Sequence, residues 1–340
     1  MSSYAKRRAG AVVAAAALAV TVTATGCTTT KTSGGGSSDD GPVKIGLVTK
    51  TETNPFFVKL RESAAAEAKK HDAKLIALAG KFDGDNEGQV SAIENLVQQG
   101  VKGILITPSN AKGILAAIKA AEDQGIVVVA LDTETDPKDA VSATFATDNE
   151  AAGETLGKYV KASLGDTEPQ VLMADLDPSS SVGVQRHDGF LKGMGLDDDS
   201  KNVIGSALTQ GDQNKAQSAM DNLLQRTASK VNVIYNINEP AARGSYQALK
   251  SRGIEGKVTV GAIDGSCSGV KDVKDGKFVA TVMQFPKKMA EKGVQSVVDF
   301  AEDGKKPSGL VDTGDELITD KPIDGIKSRD TTWGAENCWG

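Results

Sequence analysis

The sequence predicts an α/β protein built from two doubly wound parallel-sheet lobes. Short β-branched runs alternate with amphipathic segments, a pattern typical of parallel sheets covered by helices. The alternation occurs as two successive series, which two lobes accommodate better than one large sheet. No long proline-rich linker separates the two series, and this favours lobes that share several crossing segments.

Each series supplies strands that are followed by helical patterns. In the first series the predicted strands are Val43–Thr49, Lys74–Ala79, Gly103–Thr107 and Ile126–Leu131. A further short strand is expected just before Asp148 and Asn149. In the second series the predicted strands are Gln170–Ala174, Val231–Tyr235, Val258–Ile263 and Phe278–Met283, with a helix at Ala216–Leu224.

Residues 1–26 have the pattern of a lipoprotein signal peptide. Three basic residues at positions 6–8 precede an apolar run at 9–22, which is too short to span a bilayer. Residues 24–27 resemble a bacterial lipobox, which implies that Cys27 is diacylated and anchors the protein in the lipid bilayer. An ordinary secretory signal with a chance cysteine, or twin-arginine export, is the alternative. We therefore expect an exported lipoprotein on the outer face of the cytoplasmic membrane, or on the periplasmic side of an inner membrane.

Residues 27–42 predict a flexible tether, because they are almost entirely small and polar. Removal of residues 1–26 takes away three positive charges and no negative charge, which changes the formal net charge from −6 to −9. Such a charge argues against nucleic acid and anionic lipid surfaces as partners. About 300 residues remain, which is enough for two lobes with their own cores.

The cysteines and histidines are few. Besides Cys27 there are only Cys267 and Cys338, and export places them in a compartment that permits disulfides. We expect these two to pair, with two free thiols as the alternative. His71 and His187 are the only histidines and form no cluster with cysteines, so we expect no metal site and no cofactor.

Residues 83–94 match part of the spacing of a calcium-binding loop. We reject that interpretation, because the apolar periodicity from Val90 to Val97 predicts a helix that already runs through Glu94. A glutamate at the fifth loop position, Glu87, is also atypical. We interpret Asp83–Asn86 as a strand-end loop with a helix N-cap, at the edge of the ligand site.

Polar and aromatic residues recur where the predicted strands end, which is where open parallel sheets bind ligands. Carboxylates and amides bond adjacent sugar hydroxyls, and aromatic rings cover the apolar face of a sugar ring. Any one of these residues could simply cap the next helix. Their recurrence at six strand ends is what indicates a sugar site, and the segments concerned are Lys50–Phe57, Asp132–Thr133, Asp148–Asn149, Asn238–Pro240, Asp264–Gly265 and Gln284.

Several motifs from Val43 onward belong together: Asn54-Pro55-Phe56-Phe57, Leu131-Asp132, Thr147-Asp148-Asn149, Arg186-His187-Asp188-Gly189-Phe190, Asn238-Glu239 and Asp264-Gly265. With them the chain resembles the ribose-type, class I periplasmic sugar-binding proteins of ABC importers. Within that family it is most similar to the fructose-binding branch, through residues 49–57, 79–85, 237–242 and 336–340.

The resemblance implies two doubly wound parallel-sheet lobes joined by a three-strand hinge. One lobe comprises residues 43–148 and 285–312, and the other comprises 149–284 and 313–340. The three crossings are expected near Asp148-Asn149, near Gln284 and around Val311–Gly314.

The resemblance also implies a ligand set, which is Lys50, Asn54, Phe56, Phe57, Asp132, Thr133, Arg186, Asn238, Asp264 and Gln284. The chain departs from the ribose pattern in four places. Lys50 replaces a serine, Thr133 an arginine, Gly211 an aromatic residue and Ile263 a phenylalanine. These departures argue against ribose, and they suggest that the Lys50 ammonium stands in for the missing arginine.

The chemistry of each residue type gives its expected role. The two aspartates would accept bonds from vicinal hydroxyls, the amides would donate and accept, and Arg186 and Lys50 would donate from charged groups. Phe56 and Phe57 would stack on the ring, although at least one of them is expected to pack in the core. The alternatives are a surface ion pair for Arg186 and an exposed lysine at the cleft rim for Lys50.

The function that follows is binding without chemistry. A monosaccharide, most favourably D-fructose, would bind between the lobes of a monomer, and a membrane permease with its ATPase subunit would recognise the closed state. Ribose, mannose and xylose are alternative ligands, and a sugar sensor that feeds no transporter is an alternative role. A hydrolase or epimerase would need carboxylates at a defined separation, and a repressor would carry a DNA-binding helix-turn-helix at its N-terminus.

Overall fold

Strands and helices alternate along residues 41–340, which the computed structural model describes. The strands are β1 (Lys44–Thr49), β2 (Lys74–Ala79), β3 (Gly103–Ile106), β4 (Val127–Leu131), β5 (Ala143–Ala146), β6 (Val171–Asp175), β7 (Val203–Leu208), β8 (Val233–Asn236), β9 (Thr259–Asp264), β10 (Ala280–Met283), β11 (Gly309–Asp312) and β12 (Glu316–Ile318). The α-helices are α1 (Pro55–Lys70), α2 (Asn86–Gln98), α3 (Leu115–Glu122), α4 (Asn149–Ser163), α5 (Ser181–Met194), α6 (Gln213–Thr227), α7 (Glu239–Ser251), α8 (Cys267–Lys274), α9 (Pro286–Asp303) and α10 (Thr331–Asn337).

The predicted signal peptide, the predicted lipid anchor at Cys27 and nearly all of the predicted tether lie outside the described residues. Within residues 41–340, no helix combines the length and the apolar character that a membrane crossing requires.

The first sheet has six parallel strands in the order β11-β5-β4-β3-β1-β2. Its central strands are continuous apolar runs, as expected for strands covered on both faces. Helices α1 and α9 pack on one face, and α2 and α3 pack on the other. We call this sheet and these four helices the first lobe.

The second sheet has the order β12-β10-β9-β8-β6-β7. Helices α4 and α5 cover one face, α6 and α7 cover the other, and we call this sheet with α4–α8 and α10 the second lobe. The predicted class, two doubly wound sheets, is confirmed. Among the described strands, the pair of β12 with β10 is the antiparallel one. Strand β10 ends at Met283, where the chain leaves for the first lobe, and β12 begins at Glu316, where the chain returns. Because Met283 lies opposite Glu316, the two strands run in opposite directions.

The chain passes between the lobes three times. It crosses between β5 and α4, between β10 and α9, and between β11 and β12, where residues 313–315 form the connection. All three connections lie at the strand ends where the site is built.

Strand β7 was not predicted. It lies at the edge of the second sheet, several of its residues are partly exposed, and it contains Gly205 and Ser206. An edge strand of this kind lacks the continuous apolar run that identified the central strands.

Candidate functional site

The carboxyl ends of strands from both lobes converge on one cavity. Nine of the ten residues predicted as ligand contacts line it, namely Lys50, Asn54, Phe56, Phe57, Asp132, Arg186, Asn238, Asp264 and Gln284. The remaining lining residues are Asp83, Leu176, Val182 and Ile237. Each lobe contributes, so the cavity is completed only when the lobes are close together.

Thr133 is the predicted contact that the structure does not place on the cavity. Its side chain is fully buried, and its hydroxyl donates to Oδ2 of Asp132 at 2.8 Å. The Thr133 hydroxyl thus orients the neighbouring carboxylate, and a direct contact between Thr133 and a ligand stays a prediction.

Lys50 is buried in the loop after β1 and is not an exposed lysine at the rim. Its ammonium donates to the hydroxyl of Ser180 at 3.0 Å and lies 3.5 Å from the carboxylate of Asp83. Burial raises the pKa of Asp83, and the positive charge of Lys50 opposes that shift. The loop after β2 thus borders the site, as expected, and Asp85 caps α2 by accepting from the Gly88 amide.

Arg186 lies on α5 and is only 3 % exposed, so it is not part of a surface ion pair. Its Nε donates to Oδ1 of Asn149 at 2.7 Å, and its Nη1 donates to the carbonyl of Ile237 at 2.9 Å. Helices α4 and α5 can approach closely because Gly153 and Gly189 face backbone atoms of the partner helix, which leaves no room for a Cβ. This approach brings Arg186 to Asn149, where the chain enters the second lobe.

Asp132 stands at the end of β4 in a left-handed conformation, with φ at 64°. Few side chains adopt this region, and aspartate is one of those that tolerate it. Its Oδ1 lies 3.9 Å from Nη2 of Arg186, and its backbone carbonyl accepts from the Asn149 amide at 3.3 Å. A carboxylate of the first lobe therefore faces a guanidinium of the second lobe across the cavity.

Asp264 stands at the end of β9 and is held by its neighbours. Gln284 donates from Nε2 to its Oδ1 at 3.1 Å, and the Glu239 amide lies 3.3 Å from its Oδ2. Oε1 of Gln284 has no hydrogen-bond partner among the described residues. Burial and the negative charge of Glu239 hold the pKa of Asp264 well above its usual range, and Arg186 partly offsets this.

Glu239 was not predicted as a site residue, yet it organises the loop after β9. Its carboxylate accepts from the amides of Gly265 and Ser266 at 2.9 and 3.2 Å, and from the hydroxyls of Ser266 and Thr281. This set of donors fixes the segment that follows Asp264. The sequence offered only the acidic residue in the first turn of α7, which is ordinary at a helix N-terminus.

Two predicted amides act as helix caps. Oδ1 of Asn54 accepts from the Phe56 amide at 3.0 Å, and Oδ1 of Asn238 accepts from the Ala241 amide at 2.9 Å. Each oxygen keeps a second lone pair, so the expected role of both amides toward a ligand stays a prediction. Asn238 also donates from Nδ2 to the carbonyl of Gly211 at 3.1 Å.

Phe56 and Phe57 belong to the core of the first lobe and also face the cavity. Trp339 packs edge-on against Phe56, with 5.6 Å between the ring centroids, and its indole donates to the carbonyl of Gln284 at 3.0 Å. A disulfide between Cys267 and Cys338 fixes the residue next to Trp339. The C-terminal segment therefore supports the aromatic wall from behind.

The cavity combines three carboxylates, from Asp83, Asp132 and Asp264, with the cations of Lys50 and Arg186 and an aromatic wall. Such a set can bond several adjacent hydroxyls of one small polar molecule. A separate group, His187 with Asp188 and Asp198, has the composition of a cation site and does not line the cavity. There His187 is engaged with Asp175 at 2.9 Å and with Asp198 at 2.7 Å.

Two doubly wound lobes with three crossings and a polar cavity between them define a class of binding protein that closes on a small solute. Sequence comparison agrees, since residues 45–306 match the family model described as periplasmic binding protein domain. The chain belongs to this family.

Among its relatives is the ribose import binding protein RbsB of Bacillus subtilis (strain 168). The two are 30 % identical over 279 residues, which cover 82 % of this chain and 87 % of that protein. Among solved structures, an ABC transporter solute binding protein from Agrobacterium vitis with bound D-fucose is 28 % identical with a TM-score of 0.77, covering 87 % of this chain and 100 % of that one. A solute binding protein from Actinobacillus succinogenes with bound D-allose is 26 % identical with a TM-score of 0.73, covering 82 % and 97 %.

Proposed function

We propose that this protein is the extracytoplasmic sugar-binding subunit of an ABC importer. The observation that carries the proposal is the cavity between the lobes, where carboxylates, cations and an aromatic wall from both lobes face one another. The sugars and the import role named for its relatives support the same function.

In this proposal the ligand is a monosaccharide, most favourably D-fructose. The resemblance of residues 49–57, 79–85, 237–242 and 336–340 to the fructose-binding branch supports this choice. Lys50 is buried at the cavity, as expected of a residue that replaces the missing arginine. Asp132 and Asp264 would accept bonds from hydroxyls, Lys50 and Arg186 would donate, and Phe56 and Phe57 would cover the ring.

Closure follows from the placement of these groups. Residues 43–148 with 285–312 and residues 149–284 with 313–340 would move as two lobes about the three crossings. A sugar that bonds to Asp132 on one lobe and to Arg186 on the other stabilises the closed state by its differential contacts. The closed protein would then deliver the sugar to a permease, while the acylated Cys27 keeps it at the membrane.

The test is calorimetric titration of the full-length protein in detergent with D-fructose, D-ribose, D-mannose, D-xylose, D-glucose and D-galactose. We expect one-to-one binding led by D-fructose, with a dissociation constant on the order of 1 µM, about −8 kcal/mol. Preference for another of these sugars would keep the class and correct the ligand. Turnover of a bound sugar would overturn the assignment as a binding subunit.

A further inference from the structure

A polar groove continues from the cavity toward solvent. We call it the outer groove; it has a volume of about 220 Å³, and six of its residues matter here, namely Thr51, Thr53, Asn54, Asp83, Gln210 and Asp212. Asn54 and Asp83 line both the groove and the cavity, so the two spaces adjoin. The first four residues come from the first lobe and the last two from the second lobe, so closure brings its two walls together.

Gly211 keeps the groove open. Its φ is 60°, and a Cβ at this position would lie 2.6 Å from Nδ2 of Asn238. That nitrogen donates to the Gly211 carbonyl, which fixes the conformation of the turn. A larger residue would be strained in this backbone conformation and would displace the Asn238 side-chain amide, and glycine itself has no side chain that covers the groove. The aromatic residue of the ribose pattern is absent at this point of the sequence.

An exposed aromatic ring directly precedes Asp83, one of the residues that line the groove. Phe82 is 45 % exposed. Its loop is ordered by Asp85, which accepts from the Lys81 amide at 2.9 Å and donates from its own amide to the Phe82 carbonyl at 3.0 Å. Nζ of Lys215 lies 5.6 Å from the centroid of the Phe82 ring and also bonds to Gln210. Gln210 lines the groove, so this contact ties Phe82 of the first lobe to the groove wall of the second.

The groove also offers hydrogen-bonding groups. Asn54 caps α1 with its side-chain oxygen, and within residues 41–340 its Nδ2 donates to no acceptor. Thr53 and Asp212 are exposed, and one carboxylate oxygen of Asp212 accepts from the Lys215 amide at 2.9 Å. An aromatic face beside such donors and acceptors is the combination that binds a sugar ring, since its C–H face packs on the aromatic ring and its hydroxyls bond to polar groups.

We infer that the outer groove is a second sugar subsite. The ligands of this protein then include glycosides whose second sugar unit lies against the Phe82 ring. The inference rests on the proposed function, because the first residue must occupy the cavity. It extends that function from a monosaccharide to a disaccharide or a related glycoside. The glycosidic linkage between the two sugar units would lie beside Asn54 and Asp83, which line both the cavity and the outer groove.

The experiment compares each of the six monosaccharides with its own glycosides, using the full-length protein. Sucrose, turanose and isomaltulose serve for D-fructose, xylobiose for D-xylose, mannobiose for D-mannose, maltose for D-glucose, lactose for D-galactose and a ribosyl-ribose disaccharide for D-ribose. We expect at least one glycoside to bind as tightly as its parent sugar or more tightly. The variant Phe82→Ala is expected to lower the ratio of glycoside affinity to parent affinity about tenfold, equivalent to about 1.4 kcal/mol. Leu310→Ala, which truncates an exposed apolar residue on β11, is the matched control.

Each outcome separates the two proposals. Binding of a parent sugar without any of its glycosides overturns the second subsite and leaves the proposed function standing. An unchanged affinity ratio in Phe82→Ala also overturns it. A glycoside that binds when no monosaccharide does supports the subsite and corrects the ligand size. If neither monosaccharides nor the named disaccharides bind, the proposed function fails together with the inference.

Discussion

The ammonium of Lys50 in the first lobe lies 3.0 Å from the hydroxyl of Ser180 in the second lobe. Ser180 precedes α5 and makes no side-chain cap of its own. The bond therefore joins the loop after β1 to the start of the helix that carries Arg186. Both residues are almost completely buried, so the contact belongs to the closed arrangement of the lobes.

Replacement Lys50→Met should weaken sugar binding by roughly 10- to 100-fold, because a charged hydrogen-bond donor contributes about 1.5–3 kcal/mol. Methionine keeps an unbranched apolar stem, so the change removes mainly the ammonium. Calorimetric titration with the preferred sugar measures the effect, and Lys292→Met on the exposed surface of α9 is the control. Equal affinities for the two variants would show that Lys50 serves the fold and not the ligand.

Replacement Arg186→Met should lower both affinity and stability. Arg186 is buried, bonds to Asn149 and Ile237, and lies 3.9 Å from the Asp132 carboxylate. Without it, Asp132 and Asp264 lose their facing positive charge, and the free energy of unfolding should fall by about 3–5 kcal/mol. Urea unfolding measures this loss, and titration measures the affinity. A stability loss with unchanged affinity would exclude Arg186 from the ligand contacts.

The sequence predicted those parts of the molecule that local patterns determine. Buried β-branched runs located the central strands, and the polar and aromatic residues that follow them account for eight of the nine predicted cavity residues. The ninth, Arg186 on α5, came from the family resemblance. Thr133 does not line the cavity, because spacing shows which residue follows a strand and not which way its side chain turns.

Residues that shape the site by holding other residues in place could not be predicted from local patterns. Ser180, Glu239 and Trp339 contact the site only because helices and the C-terminal segment pack around it, and each is ordinary in its local context. Strands β7, β11 and β12 were missed for a related reason, since edge strands owe their pairing to neighbours distant in sequence.

The disulfide should contribute strongly to stability and indirectly to binding. It closes a chain separation of 71 residues, for which loop-closure entropy predicts about 4 kcal/mol. The double replacement Cys267→Ser with Cys338→Ser should lower the free energy of unfolding by about this amount. Sugar affinity should also fall, since Trp339 next to Cys338 supports Phe56 and bonds to the Gln284 carbonyl.

The variant Trp339→Ala, with the disulfide intact, separates the effect of the C-terminal segment on sugar affinity from its effect on stability. Weaker binding in this variant, measured by titration at a temperature where it remains folded, is the expected result. If Trp339→Ala binds as the wild type does, the C-terminal segment stabilises the fold alone.

Asp315→Asn should stabilise the protein at neutral pH. Burial and the nearby carboxylates of Asp312, Glu316 and Asp148 raise the pKa of Asp315 to about 6. Because the folded state holds this proton more tightly than the unfolded state does, ionisation of Asp315 disfavours folding above about pH 6 and has no effect below about pH 4. The Tm of Asp315→Asn should exceed that of the wild type at pH 8 and equal it at pH 4.

The exposed Asp166 provides the control for this change. Asp166→Asn removes one exposed carboxyl and is measured at the same two pH values. A Tm difference for Asp315→Asn that is the same at pH 4 and pH 8 would show that charge at the third crossing is not the cause.

His187 should remain protonated well above neutral pH. Its Nδ1 faces Asp175 at 2.9 Å and its Nε2 faces Asp198 at 2.7 Å, and only an imidazolium can donate to both. The hydrogen bond to Asp175, followed by the charges of Asp175 and the contact with Asp198, raises the pKa of His187 to about 9, against the opposing effect of burial. Because this folded-state pKa exceeds the unfolded value of about 6.5, the stabilisation is complete below about pH 6.5 and is lost as the pH rises through about 9.

In a His71→Asn background His187 is the only histidine, so its ring resonances can be followed by NMR from pH 6 to pH 10. A midpoint near 9 that falls on Asp198→Asn is the expected result, whereas a neutral ring at pH 7.5 would show that the bridge between Asp175 and Asp198 does not form.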